Sequence, residues 1–444
     1  EGIWFDIADK HGTTDFLGYD TQTSEGQILA LLQDGNIVNK VSEGDDVMVV
    51  LNQTPFYAES GGQVADNGSI SVDKNKIIIT DVKKKAGVFI HIGQVVSGEI
   101  SNGSSAELSV NTEMRSGICN SHTATHLLNE ALRSKLGQHI AQRGSLNAEN
   151  RLRFDFSHSK SMTQSELRDV ELEVNNLIRQ NSSVETRIMT PEDARELGAQ
   201  ALFGEKYGDE VRVVSMGNKK GSGKGLAGNT YSLELCGGTH VQRTGQIGAF
   251  ALIAESASAG GVRRIEAFTG KTAELHHAEQ SKIINDLASM FKTKAENVID
   301  RVKSLIDERK VLQSEIINLR KAVAMGTNDD SQNIVKINNF NLYVQIFDDV
   351  PSKDLRSLVD EHKNRIGSGI ILLISGAGGK AAISAGVTSD LTDQINAVDL
   401  VKIAALELGG KGGGGRADMA QAGGSDMANV KKAISLVENF LKEL

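Results

Sequence analysis

The sequence predicts an α+β multidomain chain: a small β-barrel-like domain, an α/β domain, a helical hairpin or short coiled coil as spacer, and a C-terminal α/β domain. Three observations predict it. The chain has 444 residues, too many for one ordinary core, so two to four domains are expected. Apolar runs of strand length, separated by Gly, Asn, Asp and Ser, fill the first quarter. A proline-free stripe of apolar residues at helical spacing then separates two segments in which helix and strand patterns alternate.

Residues 1–110 read as β. Val47–Leu51, Ile77–Thr80 and Val88–Ile92 are the clearest strands, as in a small barrel or sandwich. Residues 111–268 read as α/β. A helix begins near Thr112, carries Leu127, Leu128, Ala131, Leu132 and Leu136 at helical spacing, and stops at Gly137. Leu152–Phe156 is a strand, Ser165–Arg179 a second helix, and Val211–Gly217 a strand leading into the basic glycine-rich loop Asn218–Gly225. That loop reads as a mobile turn, with an insertion near an RNA path as the alternative. Residues 270–325 carry the stripe, from Ile283-Ile284 through Leu287, Phe291, Val302, Leu312 and Leu319 to Val323, and Met325–Asn333 is a polar linker. Residues 333–444 alternate strand and helix, with a glycine-rich loop, Gly409–Arg416, between the last two helices.

Composition narrows the function classes. The longest strongly apolar run, Gly369–Ile374, is far too short to span a membrane. The N-terminus shows no basic segment followed by an apolar stretch, so no signal peptide is expected, and it lacks an initiator Met, as a fragment would. Two cysteines, Cys119 and Cys236, argue against a disulfide framework and for a reducing cytoplasm. A formal net charge of −9 argues against nonspecific nucleic-acid binding; an RNA partner would need local basic patches.

One constellation carries chemistry. His122 and His126 lie four apart on the first long helix, so both imidazoles share a face. Cys236-Gly237-Gly238-Thr239-His240 offers a thiolate and a third imidazole from a tight turn, where two glycines would let the backbone fold back. Three His and one Cys form a suitable set for Zn²⁺. Composition alone gives roughly 0.2 His pairs and roughly 0.05 Cys–His pairs at this spacing, so the combination is the informative signal. The bland alternative is two solvated histidines and a buried free thiol. A zinc peptidase is disfavoured, because Thr123 stands where that motif needs Glu. Four protein ligands at once would close the ion, which usually means a structural role.

Thr54–Gln63, the His122/His126 pair, Glu234–His240 and Ser256–Glu266 together resemble the editing domain of bacterial-type alanyl-tRNA synthetases. The resemblance extends through the helical segment to Gly409–Arg416, which is similar to a domain that family shares with certain phosphoesterases. It implies a zinc-bearing editing domain at 111–268 and a C-terminal tRNA-binding or oligomerisation domain, with His122, His126, Cys236 and His240 as ligands. Gln142 sits where the family has a glutamine implicated in editing. No segment resembles the ATP-binding activation domain, so alanine charging is not expected of this chain alone.

The implied reaction is hydrolysis of Ser-tRNA(Ala) or Gly-tRNA(Ala). An alanine pocket rejects neither smaller glycine nor serine efficiently, and a second site that hydrogen-bonds the serine hydroxyl corrects the error. Thr54, Gln63 and Gln142 are the candidate polar groups, Glu59 the candidate base, and Gly61-Gly62 a backbone approach to substrate. Arg263, Arg264, Lys411 and Arg416 are the candidate RNA contacts. Each has a structural alternative: a turn threonine, surface glutamines, salt-bridged arginines, a glycine loop without ligand. The competing functions are a free-standing deacylase and a non-catalytic tRNA-binding module, possible as a homodimer, whose zinc only holds the fold.

Overall fold

The computed structural model describes residues 2–201, 208–219, 221–326, 333–348, 350–377, 379–425 and 427–444. Lys220 of the basic loop, most of the Met325–Asn333 linker and the side chain of Val323 lie outside what is described. The chain divides into two compact units, Glu1–Asp286 and Leu287–Leu444.

The first unit opens with a helix, Gly2–His11, where the sequence reading expected β. Its Ile3, Trp4, Ile7 and Ala8 recur as one helical stripe and pack on Ala30, Leu32, Val50, Val88 and Ile90 of the following sheet. That sheet closes on itself. Ser105–Val110 pairs with Gly68–Val72, then come Asn75–Lys85, Val88–Ser97, Asp46–Leu51 and Thr23–Gln33, which pairs back onto Ser105–Val110. The result is a six-stranded barrel, as expected of a barrel-like domain, with Asn36–Val38 appended at its edge. Strict alternation explains the closure: in Ser105–Val110, Ala106, Leu108 and Val110 are buried while their neighbours are exposed.

His91 is fully buried in this barrel. Its Nδ1 lies 3.0 Å from the Val49 carbonyl, and the Thr54 hydroxyl lies 2.7 Å from Nε2. Thr54 Oγ also accepts from the Phe56 N–H at 3.1 Å. Thr54 therefore satisfies a buried ring and a turn; it does not line the cleft described below, and the structure corrects its assignment to a substrate pocket.

Residues after the barrel form an antiparallel sheet in the order Gln142–Asn147, Leu152–Ser157, Val262–Thr269, Phe250–Ala259. Helices Thr112–Leu136 and Gln164–Arg179 pack on it through one core that includes Leu127, Leu128, Phe154, Phe156, Val170 and Val174. The first helix is capped by Asn111 and ends at Gly137, whose φ of 119° explains the stop. The second begins with a capping box between Thr163 and Glu166. A separate three-stranded sheet, Glu185–Met189, Val211–Asn218 and Thr230–Leu235, carries the Cys236 turn at its end.

Helices Gly270–Met290 and Val298–Gly326 occupy the expected spacer. Their stripe is exposed at Ile283, Ile284, Leu287, Val302, Ile306, Leu312, Ile316 and Leu319.

The second unit contains a six-stranded sheet, ordered Ile334–Ile337, Phe340–Phe347, Ile370–Ala377, Lys380–Val387, Met419–Gly424, Gly413–Arg416. Phe340–Phe347 and Ile370–Ala377 run parallel, joined through helix Ser352–Ile366. Helices Ala397–Glu407 and Val430–Glu443 pack with the apolar core that includes Leu372, Ile374 and Ile383. Half of the expected glycine loop is a strand: Gly413–Arg416 pairs with Met419–Ala422.

Burial holds the His91 pKa down to about 4. The folded state thus refuses a proton that the unfolded chain accepts below about 6.5. Stability from this neutral ring is complete above pH 6.5 and is lost as pH falls towards 4, about 3 kcal/mol in all. Trp4 is the only tryptophan and packs on the barrel, so its fluorescence reports barrel unfolding. Urea midpoints followed this way should fall between pH 6.5 and 4 more steeply in the parent than in His91→Gln; parallel curves would refute the assignment.

Candidate metal centre

Helix Thr112–Leu136 is buried for most of its length, including the polar side chains His122, Thr123, Thr125, His126, Asn129 and Glu130. A buried polar group must be paired or carry a cost of roughly 1–3 kcal/mol. The pairing accounts for the geometry. The ligand atoms of His122, His126, Cys236 and His240 all lie within 4.8 Å of one another. The sequence predicted this convergence of a helix face with a distant turn.

Each imidazole is oriented through its outer nitrogen. His122 Nδ1 lies 2.8 Å from the Gln63 side-chain oxygen, and His126 Nδ1 lies 2.6 Å from a Glu234 carboxylate oxygen. His240 Nδ1 lies 3.1 Å from Thr123 Oγ1, whose own proton goes to the Cys119 carbonyl. All three acceptors call for a proton on Nδ1, which leaves every Nε2 free to bind a metal. The Nε2 atoms of His122 and His240 lie 3.4 and 3.2 Å from Cys236 Sγ. Nε2 of His126 is buried with no hydrogen-bond partner. A metal ion would satisfy it, so the residues present fit the group.

Charge favours the same occupant. Burial alone would raise the Cys236 thiol, but His122, His240 and His126 outweigh it and hold the pKa well below the ordinary value. Burial opposes charge on His126 too, yet Glu234 and Cys236 lift its pKa to about 10. Burial pushes His240 down to about 3. Metal entry therefore meets a ready thiolate and displaces a proton from His126.

The turn itself differs from the sequence reading. Neither Gly237 nor Gly238 adopts positive φ. Gly238 is needed for proximity: a Cβ there would lie 2.1 Å from His122 Cε1. Two residues that sequence reasoning missed brace the turn from outside. Tyr19 donates its hydroxyl to the Gly237 carbonyl at 2.6 Å, and Arg212 donates to the Gly238 carbonyl at 2.7 Å. Glu234 was legible only as part of a motif, because nothing in its spacing indicates that it faces His126.

A cavity of about 480 Å³ opens beside the cluster, lined in part by His122, His126, Cys236, Gln142, Ser145 and Ser60. Gln142 thus lies in the cleft, with its Nε2 donating to Ser145 Oγ at 3.1 Å. Gln63 does not line it. It is fully buried, takes protons from His122 and the Thr239 N–H, and gives one to Thr239 Oγ1, so its role is to position the cluster. Glu59 is corrected as well: it is exposed, paired with Lys83, and faces a different depression. Gly62 makes its close approach to Ser145, whose Oγ would be 2.2 Å from an added Cβ. Glu130, on helix Thr112–Leu136, holds Lys224 of the basic loop at 2.5 Å, so that loop is anchored at this point.

Three of the four RNA-contact candidates are engaged within the protein. Arg263 pairs with Glu255, Arg264 with Asp155, and Arg416 with Asp418 at 3.0 Å. Lys411 is exposed. The Gly409 and Gly410 N–H groups bond the carbonyls of Leu406 and Ala405, so neither points outward as a free donor.

Three family models match the chain. They are "tRNA synthetases class II (A)" over residues 3–114, "Threonyl and Alanyl tRNA synthetase second additional domain" over 211–266, and "DHHA1 domain" over 338–443. The first covers the barrel region, where sequence reading found no likeness to the activating part of a synthetase. The alanine–tRNA ligase of Jannaschia sp. (strain CCS1) is 58% identical over 440 residues, 99% of this chain and 50% of that protein. That of Paracoccus denitrificans is 57% identical over 443 residues, again 99% and 50%. The chain spans about half the length of the curated relatives it matches. The C-Ala domain from Aquifex aeolicus alanyl-tRNA synthetase is 30% identical, covering 24% of this chain and 97% of that one, with a TM-score of 0.24.

Removing the Glu234 acceptor should weaken divalent-metal affinity about 10- to 100-fold in Glu234→Ala, while Glu234→Gln, which can still accept from Nδ1–H, should recover part of it. Gly238→Ala should weaken it through the His122 ring. Chelator competition measures both, and wild-type affinity in all three variants would refute the assigned roles.

Proposed function

The chain belongs to the alanine–tRNA ligase family and corresponds to its C-terminal half; from that premise we propose that it edits, hydrolysing serine or glycine from mischarged tRNA(Ala) at a zinc-bearing site. The observation that carries this reading is the four-donor cluster, three of whose members, His122, His126 and Cys236, line a cleft. A purely structural site would have no need of the adjoining cavity.

His122, His126, Cys236 and His240 would hold Zn²⁺, which supplies Lewis-acid stabilisation of charge developing on the ester. Gln63, Glu234 and Thr123 fix the three rings so that no reorganisation accompanies the reaction. Gln142 and Ser145 present polar groups to the cleft, where a serine hydroxyl pairs and an alanine methyl leaves them unsatisfied. Glycine, with no side chain, brings no clash. Glu234 is engaged by His126 and by Asn129 at 3.1 Å, so it orients and does not act as a base.

Around this site the proposed division is a barrel domain over 1–110, the editing domain over 111–268, a helical spacer over 270–325 and a tRNA-binding or dimerising domain over 333–444. No described helix is long and apolar enough to cross a membrane, and a cytoplasmic tRNA(Ala) partner completes the proposal. The compact four-donor set also favours a second reading, in which a closed zinc only holds the fold.

Incubation with Ser-tRNA(Ala) and Ala-tRNA(Ala) separates the two. Editing requires fast loss of the seryl ester, slow loss of the alanyl ester, and at least a 100-fold fall in His126→Ala. Zinc content without seryl-ester hydrolysis would support the structural reading, and equal hydrolysis of both esters would reject the discriminating cleft.

A further inference from the structure

Arg212 stands apart from the other arginines near the centre. Arg115 is buried against Asp66, Arg263 pairs with Glu255 and Arg264 with Asp155. Arg212 has no carboxylate partner among the described residues, although it is half-buried in a chain of net charge −9. Its guanidinium lies 3.8 Å from the centre of the Tyr19 ring, and Nη1 reaches the carbonyls of Gly238 and Cys236 at 2.7 and 3.4 Å. A guanidinium has five N–H donors, so this clamp fixes its plane and leaves donors unused.

Its position adds the second observation. Arg212 lines the 480 Å³ cleft beside the cluster and also a separate polar cavity of about 610 Å³, whose walls include Tyr19, Gln22, Asn120, His240 and Gln246. It therefore stands where the two cavities share a wall, directly behind the turn that carries Cys236. Asp20 also lines the larger cavity and Glu210 the cleft, but neither forms an ion pair with Arg212 among the described residues; a fixed guanidinium without a carboxylate in direct contact, bordering a polar cavity, matches a phosphate oxygen in charge and shape.

We propose that Arg212 binds the phosphodiester next to the terminal nucleoside of the aminoacylated RNA, and so holds the ester at the metal cleft. This rests on the editing reading. Tyr19 keeps the guanidinium planar against the turn, and the Gly238 carbonyl sets its direction. Arg263 and Arg264, the cations that the sequence suggested, are neutralised inside their sheet, whereas Arg212 is not.

The test compares Ser-tRNA(Ala) with the seryl ester of adenosine, which has the same ester and no phosphate. Because Arg212 also braces the turn, the readout is the difference between the two substrates: Arg212→Ala should raise KM for the tRNA about 10-fold more than KM for the adenosine ester, at matched zinc occupancy. The salt dependence of kcat/KM should weaken by about one phosphate contact, and Arg212→Lys should restore part of KM. Equal losses on both substrates at matched zinc occupancy would overturn the proposal by showing that Arg212 only braces the turn. No change on either substrate would overturn it too. If the parent hydrolyses neither ester, the editing reading fails by itself. Fluorescence anisotropy with uncharged tRNA(Ala) then decides on Arg212: equal affinity in parent and Arg212→Ala overturns it, and weaker, less salt-sensitive binding in the variant supports it.

Discussion

A long helix buried on its polar side is the constraint around which the first unit is organised. Thr112–Leu136 buries three residues at the cluster, His122, Thr123 and His126, almost entirely. Each must find a partner in the protein or in an ion. Gln63 comes from the barrel side, Glu234 from the end of a strand, and Thr123 from the helix itself. The demand for satisfied hydrogen bonds therefore sets which elements meet at this point, and the protonation of each ring follows from it.

The barrel contributes more than a neighbouring surface. Arg115, near the start of the helix, is buried with Asp66 and also donates to the carbonyls of Gly18 and Pro55 at 2.8 and 2.7 Å. Asp66 in turn accepts from the Tyr57 N–H at 2.7 Å. Such a pair is costly to bury and more costly to break, so its value lies in fixing one arrangement of barrel and helix. With that arrangement fixed, Tyr19 and Gln63 of the barrel region both reach the Cys236–His240 turn, at Gly237 and Thr239.

Periodic features were legible in the sequence. Three of the six barrel strands, the two helices over 112–179 and the spacing of His122, His126, Cys236 and His240 follow from local pattern and were read from it; Thr23–Gln33, Gly68–Val72 and Ser105–Val110 were not singled out. The N-terminal helix was not, because ten residues give a short stripe that the β-rich context obscured. The second layer of the site was hidden for a different reason. Gln63 and Thr54 were recognised as polar residues of interest, but only tertiary packing shows that one clamps a ligand and the other serves His91. Arg212 carried no local signal at all, since the absence of an acidic partner is visible only in three dimensions. The stripe over 283–319 was legible as a helix, yet periodicity could not say whether its apolar face is covered.

The donor set is split along the chain, with two imidazoles on one helix and the thiolate–imidazole pair more than a hundred residues later. During synthesis the barrel and Gln63 emerge first, and His122 gains its clamp before its co-ligands exist. The nascent chain therefore carries only half of the donor set until residue 240 leaves the ribosome, and the cluster closes only when the strand pair that carries the turn meets the helix.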